Sequence, residues 1–147
     1  MNINHIHQRN SLRPEERLKH EKQIKMLFQQ GEAFSFYPLR VVYRFVPSSS
    51  LHGAAFAPAR LGISIPKKKF RHAHYRNRIR RLLKEAWRTQ KHQLYQAMAE
   101  GWQLHCFLIY SSKEIPTFEK AKATVGAVLN QLTRKAEARK GSAQDTL

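Results

Sequence analysis

The most constraining feature of this chain is a long segment without acidic residues. Between Glu32 and Glu85 there is no Asp or Glu, whereas twelve Lys and Arg residues occur there, nine of them within 67–84. Apolar residues such as Ile79 and Leu83 recur at helical spacing among these charges. We therefore predict that a folded helix carries the positive charge and that the chain binds a polyanion.

The composition predicts one globular domain with a strongly positive surface. The 147 residues are 41% hydrophobic, which is enough for one core, and only six Gly and six Pro are present. A formal net charge of +17 attracts polyanions and repels cationic partners. We therefore predict a single domain over 1–147, with flexible segments at 1–13 and about 135–147.

The N-terminal residues and the apolar runs argue against export and against membrane insertion. The segment MNINHIHQRN has no apolar signal-peptide core, and the longest apolar runs, such as 106–110, are too short to span a bilayer. The single cysteine, Cys106, lies in such a run, where a buried thiol is expected. We predict a cytoplasmic protein with no membrane partner.

Hydrophobic periodicity predicts an α+β fold with a single four-stranded sheet and three helices. Strands are predicted at 39–46, 54–57, 61–65 and 102–110. Helices are predicted at 14–30, at about 73–98 and from Thr117 to about 135. Gly31 offers a left-handed stop to the first helix, and Thr117 is the candidate N-cap of the last. The strand at 102–110 is apolar on both faces, which favours a central position in the sheet.

The central helix separates an apolar side from a basic one. On a helical wheel the apolar side contains Tyr75, Ile79, Leu83, Ala86 and Gln90. The basic stripe contains Arg80, Lys91, Lys84, Asn77, Arg88 and Arg81, with Arg76 and Arg78 on its flanks. An ordinary solvated helix face would also be charged, but such faces mix both signs, and here only Glu85 interrupts the stripe. We interpret the stripe as a surface that follows a phosphate backbone.

The loop before this helix and the aromatic residues of the N-terminal half offer further contacts. Lys67, Lys68 and Lys69 supply point charges, whereas His72 and His74 lack neighbouring Cys, Asp or Glu and form a poor metal site. Five aromatic residues could stack on single-stranded nucleotides or fill the core: Phe28, Phe36, Tyr37, Tyr43 and Phe45. The sequence leaves both roles open.

The acidic residues argue against a catalytic site within this chain. It has ten Asp and Glu residues in total, and the only aspartate is Asp145. Nucleases that depend on metal ions need clustered carboxylates, so we predict no catalytic and no metal-binding residue. We interpret His105, in an apolar strand, as structural. An autonomous nuclease is disfavoured, and any chemistry is expected to come from a partner.

Three segments resemble the protein subunit of bacterial ribonuclease P. They are RLKHEKQIKMLFQQG at 17–31, RLGISIPKK at 60–68 and AHYRNRIRRLLKEAWR at 73–88. The Arg-Asn-Arg core at 76–78 is the most specific part. The resemblance implies an α/β sandwich with a left-handed βαβ crossover through the central helix, and periodicity does not predict the hand of that crossover.

The resemblance also implies a division of labour between protein and RNA. A large RNA subunit with bound Mg²⁺ would hydrolyse the phosphodiester, removing the 5′ leader of precursor tRNA, and one protein per RNA would assist as a non-catalytic subunit. The protein would bind ribonuclease P RNA through Arg76, Asn77, Arg78, Arg80, Arg81, Lys84 and Arg88. It would bind the leader through Ile24, Phe28, Tyr43, Lys67 and Lys68.

Two positions depart from the family pattern, and one other function fits the same charges. Ile24 stands where an aromatic residue is common, and Pro66 replaces a small residue before the lysine pair. Both differences concern the predicted leader site, and neither concerns the predicted binding of the central helix to the RNA subunit. The alternative function is a structural RNA-binding protein of the ribosomal type, which would use the same basic face without any catalytic role.

Overall fold

The computed structural model describes residues 12–50 and 57–145. Its four strands are β1 (Glu32–Phe36), β2 (Leu39–Pro47), β3 (Ala59–Ser64) and β4 (Trp102–Tyr110). Its four α-helices are α1 (Glu21–Gln30), α2 (Ala73–Gln90), α3 (His92–Ala97) and α4 (Phe118–Asp145). Short 3₁₀ turns lie at Pro14–Glu16 and Ser48–Ser50. The predicted α+β class is confirmed.

One mixed sheet organises the molecule, with strand order β1-β2-β4-β3. The pairs β1–β2 and β2–β4 are antiparallel, whereas β3 and β4 are parallel. The central position of β4 is thus confirmed. Because parallel neighbours need a crossover, α2 and α3 make the connection from β3 to β4. The left hand of this crossover stays a prediction of the resemblance.

The two faces of the sheet are covered unequally. One face packs on α2, α3 and α4, and its core includes Val41, Leu83, Trp87, Leu108 and Val128, all essentially inaccessible to solvent. The other face carries only a small cluster of Leu18, Leu27 and Val42, against which Ile24, Phe107 and Ile109 pack. Helix α1 and Leu18 of the preceding segment cover this second face only in part, so Phe107 and Ile109 are only partly buried there.

The first predicted helix is wrong in its N-terminal half. Pro14 starts only a 3₁₀ turn, because the chain then becomes extended: Arg17 forms an isolated bridge with Leu61, and the Leu18 amide donates to the Leu61 carbonyl at 3.0 Å. Helix α1 therefore begins at Glu21.

Gly31 ends helix α1 without the left-handed conformation that we expected. Its φ is −77°, in the extended region. A side chain there would collide with the carbonyls of Leu27 and Tyr43, so glycine is needed for close approach. The positive φ among the described glycines belongs to Gly101, at +85°, in the turn before β4.

The strands agree with the sequence prediction only in part. Strand β1 was not predicted: it is short and mostly exposed, so it lacks a strong apolar signal. The predicted strand at 61–65 corresponds to β3, and the one at 39–46 to β2. Of the segment at 54–57, residues 54–56 lie outside the described ranges.

The predicted helix at 73–98 is two helices that meet at Lys91. Near the end of α2, side chains donate hydrogen bonds to backbone carbonyls of the helix. Thr89 Oγ1 donates to the Glu85 carbonyl at 3.0 Å, and Gln90 Nε2 donates to the Ala86 carbonyl at 2.9 Å. Gln90 Nε2 also donates to the Lys122 carbonyl at 3.0 Å, which fixes this end against α4.

Helix α4 begins as predicted and extends further. Thr117 Oγ1 accepts the Lys120 amide at 3.2 Å, which confirms the N-cap. The sequence predicted a flexible segment from about 135, whereas the helix continues to Asp145 with Ala136 buried. Of the predicted flexible segment 1–13, residues 1–11 lie outside the described ranges and Leu12 is buried.

Candidate nucleic-acid interface

Helix α2 is amphipathic, and its buried side fixes the direction of its basic side. Ile79, Leu83, Ala86 and Trp87 are buried in the core, whereas Tyr75, expected on that side, is 39% exposed. The basic residues expected to bind RNA are exposed or half-buried on the solvent side: Arg76, Asn77, Arg78, Arg80, Arg81, Lys84 and Arg88. All seven side chains are therefore accessible to solvent, although their local bonds differ.

Asn77 organises the central arginines of this surface. Its side-chain Oδ1 accepts a hydrogen bond from Arg80 Nη1 at 3.1 Å, and its carbonyl accepts one from Arg81 Nε at 3.5 Å. Within 12–50 and 57–145, no carboxylate lies within ion-pair distance of Arg78, Arg80 or Arg81. Most of their guanidinium donors therefore face solvent and can bind phosphate oxygens.

Arg76 has a different position from its neighbours. Its Nη1 donates to the carbonyls of Phe70 and Arg71, at 2.7 and 2.9 Å. The side chain therefore folds back and braces the loop that carries the lysines, which leaves it fewer donors for a ligand.

Arg88 is paired within the helix. Its Nε donates to Glu85 Oε2 at 3.0 Å, and its Nη2 contacts Glu85 Oε1. These hydrogen bonds lower the pKa of Glu85 and raise that of Arg88. The pair is neutral as a unit, so Arg88 adds less to the positive field than the wheel suggested.

Lys91 does not belong to the stripe, contrary to the sequence prediction. Its ammonium group donates to Glu16 Oε1 at 2.5 Å in a largely buried position, and Tyr95 Oη donates to the same oxygen at 2.7 Å. Burial raises the pKa of Glu16, but the bonds from Lys91, Tyr95 and the Arg13 amide outweigh it, so the pKa lies below its usual value. This network anchors the N-terminal segment to the α2–α3 junction.

The same N-terminal segment extends the basic surface in a way that the sequence prediction missed. Burial, and then the charges of Arg17, Arg80 and Lys19, lower the pKa of Lys84. Since the charges of Arg17 and Lys19 act on Lys84, these two residues lie near that part of α2. The basic-apolar-basic alternation at 17–19 was the available signal.

Ile24, Phe28 and Phe107 meet where α1 lies on the less covered sheet face, a junction called the cleft below. The Phe28 ring is 47% exposed and meets the Phe107 ring edge-on, with centroids 5.2 Å apart. Phe107 lies over Gly62, where a Cβ atom would come within 2.5 Å of the ring. Ile24 packs beside them. Phe107 was not predicted as a site residue. Its strand, β4, is apolar on both faces, so the sequence does not show which face of the sheet stays accessible.

Tyr43 does not share this cleft, contrary to the predicted leader site. Successive residues of a strand point to opposite faces, and here Val42 faces α1 while Tyr43 lies in the main core at 4% exposure. Tyr43 Oη donates to Glu32 Oε2 at 2.6 Å, and burial together with this carboxylate raises the pKa of Tyr43.

The predicted lysine pair follows β3 in a turn, with Lys67 and Lys68 exposed. Lys69 is half-buried, and its ammonium group donates to the Ser111 carbonyl, which holds the turn against the end of β4. Lys67 and Lys68 therefore project from the carboxyl end of β3.

The described residues offer no site for a metal ion. No group of three His, Cys, Asp or Glu side chains within them could hold one.

His105 is buried with Nε2 2.8 Å from Gln103 Oε1, and burial with the charges of Arg60 and Arg44 lowers its pKa to about 4. Burial raises the pKa of the Cys106 thiol. Among the described helices, none is long and apolar enough to cross a bilayer.

Comparisons with known proteins identify the family of this chain. The Ribonuclease P family model matches residues 12–136. The ribonuclease P protein component of Porphyromonas gingivalis is 41% identical over 105 residues, which cover 70% of this chain and 72% of that protein. That of Chlorobium phaeobacteroides is 29% identical over 131 residues, covering 84% and 88%.

Solved structures show the same fold at low sequence identity. The RNase P protein of Staphylococcus aureus superposes with a TM-score of 0.60 at 19% identity, covering 78% of this chain and 93% of that one. The RNase P protein of Thermotoga maritima gives 0.56 at 22% identity, covering 81% and 96%. Together with the match over 12–136, these relatives show that the chain belongs to the ribonuclease P protein family, the protein component of a tRNA-processing endoribonuclease that has an RNA partner.

Proposed function

We propose that this chain is the non-catalytic subunit of its ribonucleoprotein and that the RNA subunit hydrolyses the phosphodiester. The observation that carries the proposal is the surface of α2, on which Arg78, Arg80 and Arg81 have no carboxylate partner among the described residues. Such a surface neutralises phosphates, which lowers the repulsion between a large RNA and a tRNA substrate. Binding and placement are the work of the protein.

Magnesium ions belong to the RNA in this proposal. The described residues do not fit a magnesium site, since that ion prefers carboxylate and other oxygen ligands and no suitable cluster exists among them. The protein acts on the metal requirement indirectly: its positive charges replace part of the cation atmosphere that two RNA molecules need in order to approach. The proposal also includes one protein per RNA and a cytoplasmic location.

The cleft between α1 and the sheet is proposed to receive the 5′ leader of precursor tRNA. The exposed ring of Phe28, with Phe107 beneath it, offers an aromatic surface on which an unpaired base can stack. Ile24 supplies an apolar wall, and Lys67 and Lys68 offer charges for leader phosphates. Tyr43 is excluded from this site because its ring lies on the other sheet face.

A reconstitution assay tests the division of labour. Purified protein, ribonuclease P RNA and labelled precursor tRNA are combined at low Mg²⁺, and cleavage at the mature 5′ end is measured. We expect cleavage only when both subunits are present, and efficient cleavage by the RNA alone only at high Mg²⁺.

Two results of this assay would contradict the proposal. Cleavage by the protein after ribonuclease treatment would make it an autonomous nuclease. Tight binding to the RNA with no effect on cleavage at any Mg²⁺ concentration would favour the structural RNA-binding role instead.

A further inference from the structure

The open edge of β2 forms a groove at the end of α1. Strand β1 pairs only with Leu39 to Tyr43, so the remaining residues of β2 have no strand on that side among the described ones. A groove of about 370 Å³ lies there. It is lined by Gln30, Glu32, Tyr43, Arg44, Phe45, Lys135, Ala138 and Arg139.

The far wall of the groove is the last part of α4, which runs beyond the family-model match at 136. Arg139 lies there against two aromatic rings, with its guanidinium carbon 4.7 Å from the Phe45 centroid and 4.5 Å from that of Trp102. Cation–π contact with both rings restricts the position of the guanidinium group. Its N–H donors have no hydrogen-bond or ion-pair partner in the described part of the chain.

The charges of the groove favour an anionic ligand. Arg44, Lys135 and Arg139 contribute three cationic groups, and the one carboxylate, Glu32, already accepts a hydrogen bond from Tyr43 Oη. A guanidinium group binds phosphate oxygens in a fork, while a lysine adds a point charge. The rings of Tyr43 and Phe45 contribute apolar surface beside these charges.

The groove lies near the cleft in the fold. Gln30, which lines the groove, is the last residue of α1, the helix that carries Phe28. Arg44 is the next residue after Val42 on the cleft side of β2, about 7 Å further along the strand. A single strand that leaves the Phe28–Phe107 pair in this direction therefore meets the groove.

We propose that this groove binds the part of the single-stranded leader that extends beyond the cleft, with Lys135 and Arg139 contacting its phosphates. The inference rests on the proposed leader binding and adds a second leader subsite, formed by the sheet edge and the end of α4. Leaders too short to leave the cleft do not reach it.

Precursors with a series of leader lengths test the inference. Affinity for the assembled ribonucleoprotein is measured with wild type, Lys135→Gln, Arg139→Gln and Arg139→Lys. Lys122→Gln is the matched control, because it removes one charge from an exposed site on the same helix. The Lys135 side chain is exposed to solvent, so its variant keeps the fold even if Arg139→Gln loosens the helix end.

We expect equal affinities at the shortest leaders and a growing loss at longer ones. Each phosphate contact on a single strand changes the logarithmic salt slope by about 0.7, which corresponds to about fourfold in affinity at 0.15 M salt. Lys135→Gln and Arg139→Gln should each lower the affinity about fourfold, whereas Arg139→Lys should keep the salt slope and Lys122→Gln should match wild type.

Several outcomes would overturn the inference. One is the same loss of affinity for the variants at every leader length, and another is no loss at any length. A third is weaker binding of the variants to the RNA subunit in the absence of precursor, because that result would assign the groove to the RNA subunit. Failure of the proposed function is a separate result: wild type would then bind mature tRNA as tightly as precursor.

Discussion

Replacing both Arg80 and Arg81 by alanine should weaken the complex with ribonuclease P RNA by a predictable amount. Neither guanidinium has an acidic partner among the described residues, and their bonds to Asn77 leave most donors free. Removing one arginine–phosphate interaction should reduce the logarithmic salt slope by about 0.7–0.9. For two such interactions the affinity at 0.15 M salt then falls by about 14- to 30-fold.

Fluorescence or filter-binding titrations at several salt concentrations give the slope. Circular dichroism should show little change in stability, since surface substitutions of this kind usually stay within about 0.5 kcal/mol. Lys122→Ala, on α4, is the control for a general loss of charge. An unchanged slope, or an equal change in the control, would refute the assignment of α2 to the RNA interface.

Three further substitutions test the cleft and the core. Phe28→Ala should lower affinity for precursor tRNA severalfold and spare mature tRNA; an equal loss for both would make Phe28 a packing residue. Glu16→Gln should destabilise the fold by about 3 kcal/mol in denaturant titrations, because it leaves Lys91 buried without its counter-charge. Because the pKa of Glu16 in the folded protein lies below its usual value of 4.5, the carboxylate contributes its full stabilisation above pH 4.5 and loses it as the pH falls further. The stability of the Glu16→Gln variant should therefore depend less on acid pH than that of wild type. The pKa of His105 is lowered from 6.5 to about 4, so on acidification the unfolded chain binds a proton before the folded protein does, and stability should fall between pH 6.5 and pH 4. His105→Gln should flatten this pH dependence of stability. An unchanged slope in the variant would contradict a buried neutral imidazole.

The basic surface could be predicted from sequence because it depends on local periodicity. Ile79 and Leu83 fix the buried side of α2, and the charged side follows from the geometry of one helix. The position of Lys91 could not be predicted in this way, since its partner Glu16 lies 75 residues away in the chain. A wheel cannot show that a charge turns inward to a distant carboxylate.

The cleft was harder to predict, because it depends on which sheet face receives the short helix. The alternation in β2 shows that Val42 and Tyr43 point in opposite directions, but not which of them faces α1. In β4 both faces are apolar, so Phe107 gave no separate signal. Strand β1 was missed for a related reason: its exposed edge residues lack the pattern of a buried strand.

The central place of β4 ties the two binding surfaces to one cooperative unit. The hairpin of β1 and β2 shares no backbone ladder with β3, so β4 alone joins the strands beneath the cleft to the strand that leads into the basic helix. During synthesis this strand is made after all residues of the basic surface on α2, and it brings Phe107 of the cleft with it. A nascent chain that ends before Trp102 therefore has every arginine of the interface but no scaffold that sets their spacing, and ordered recognition has to wait for the last third of the polypeptide.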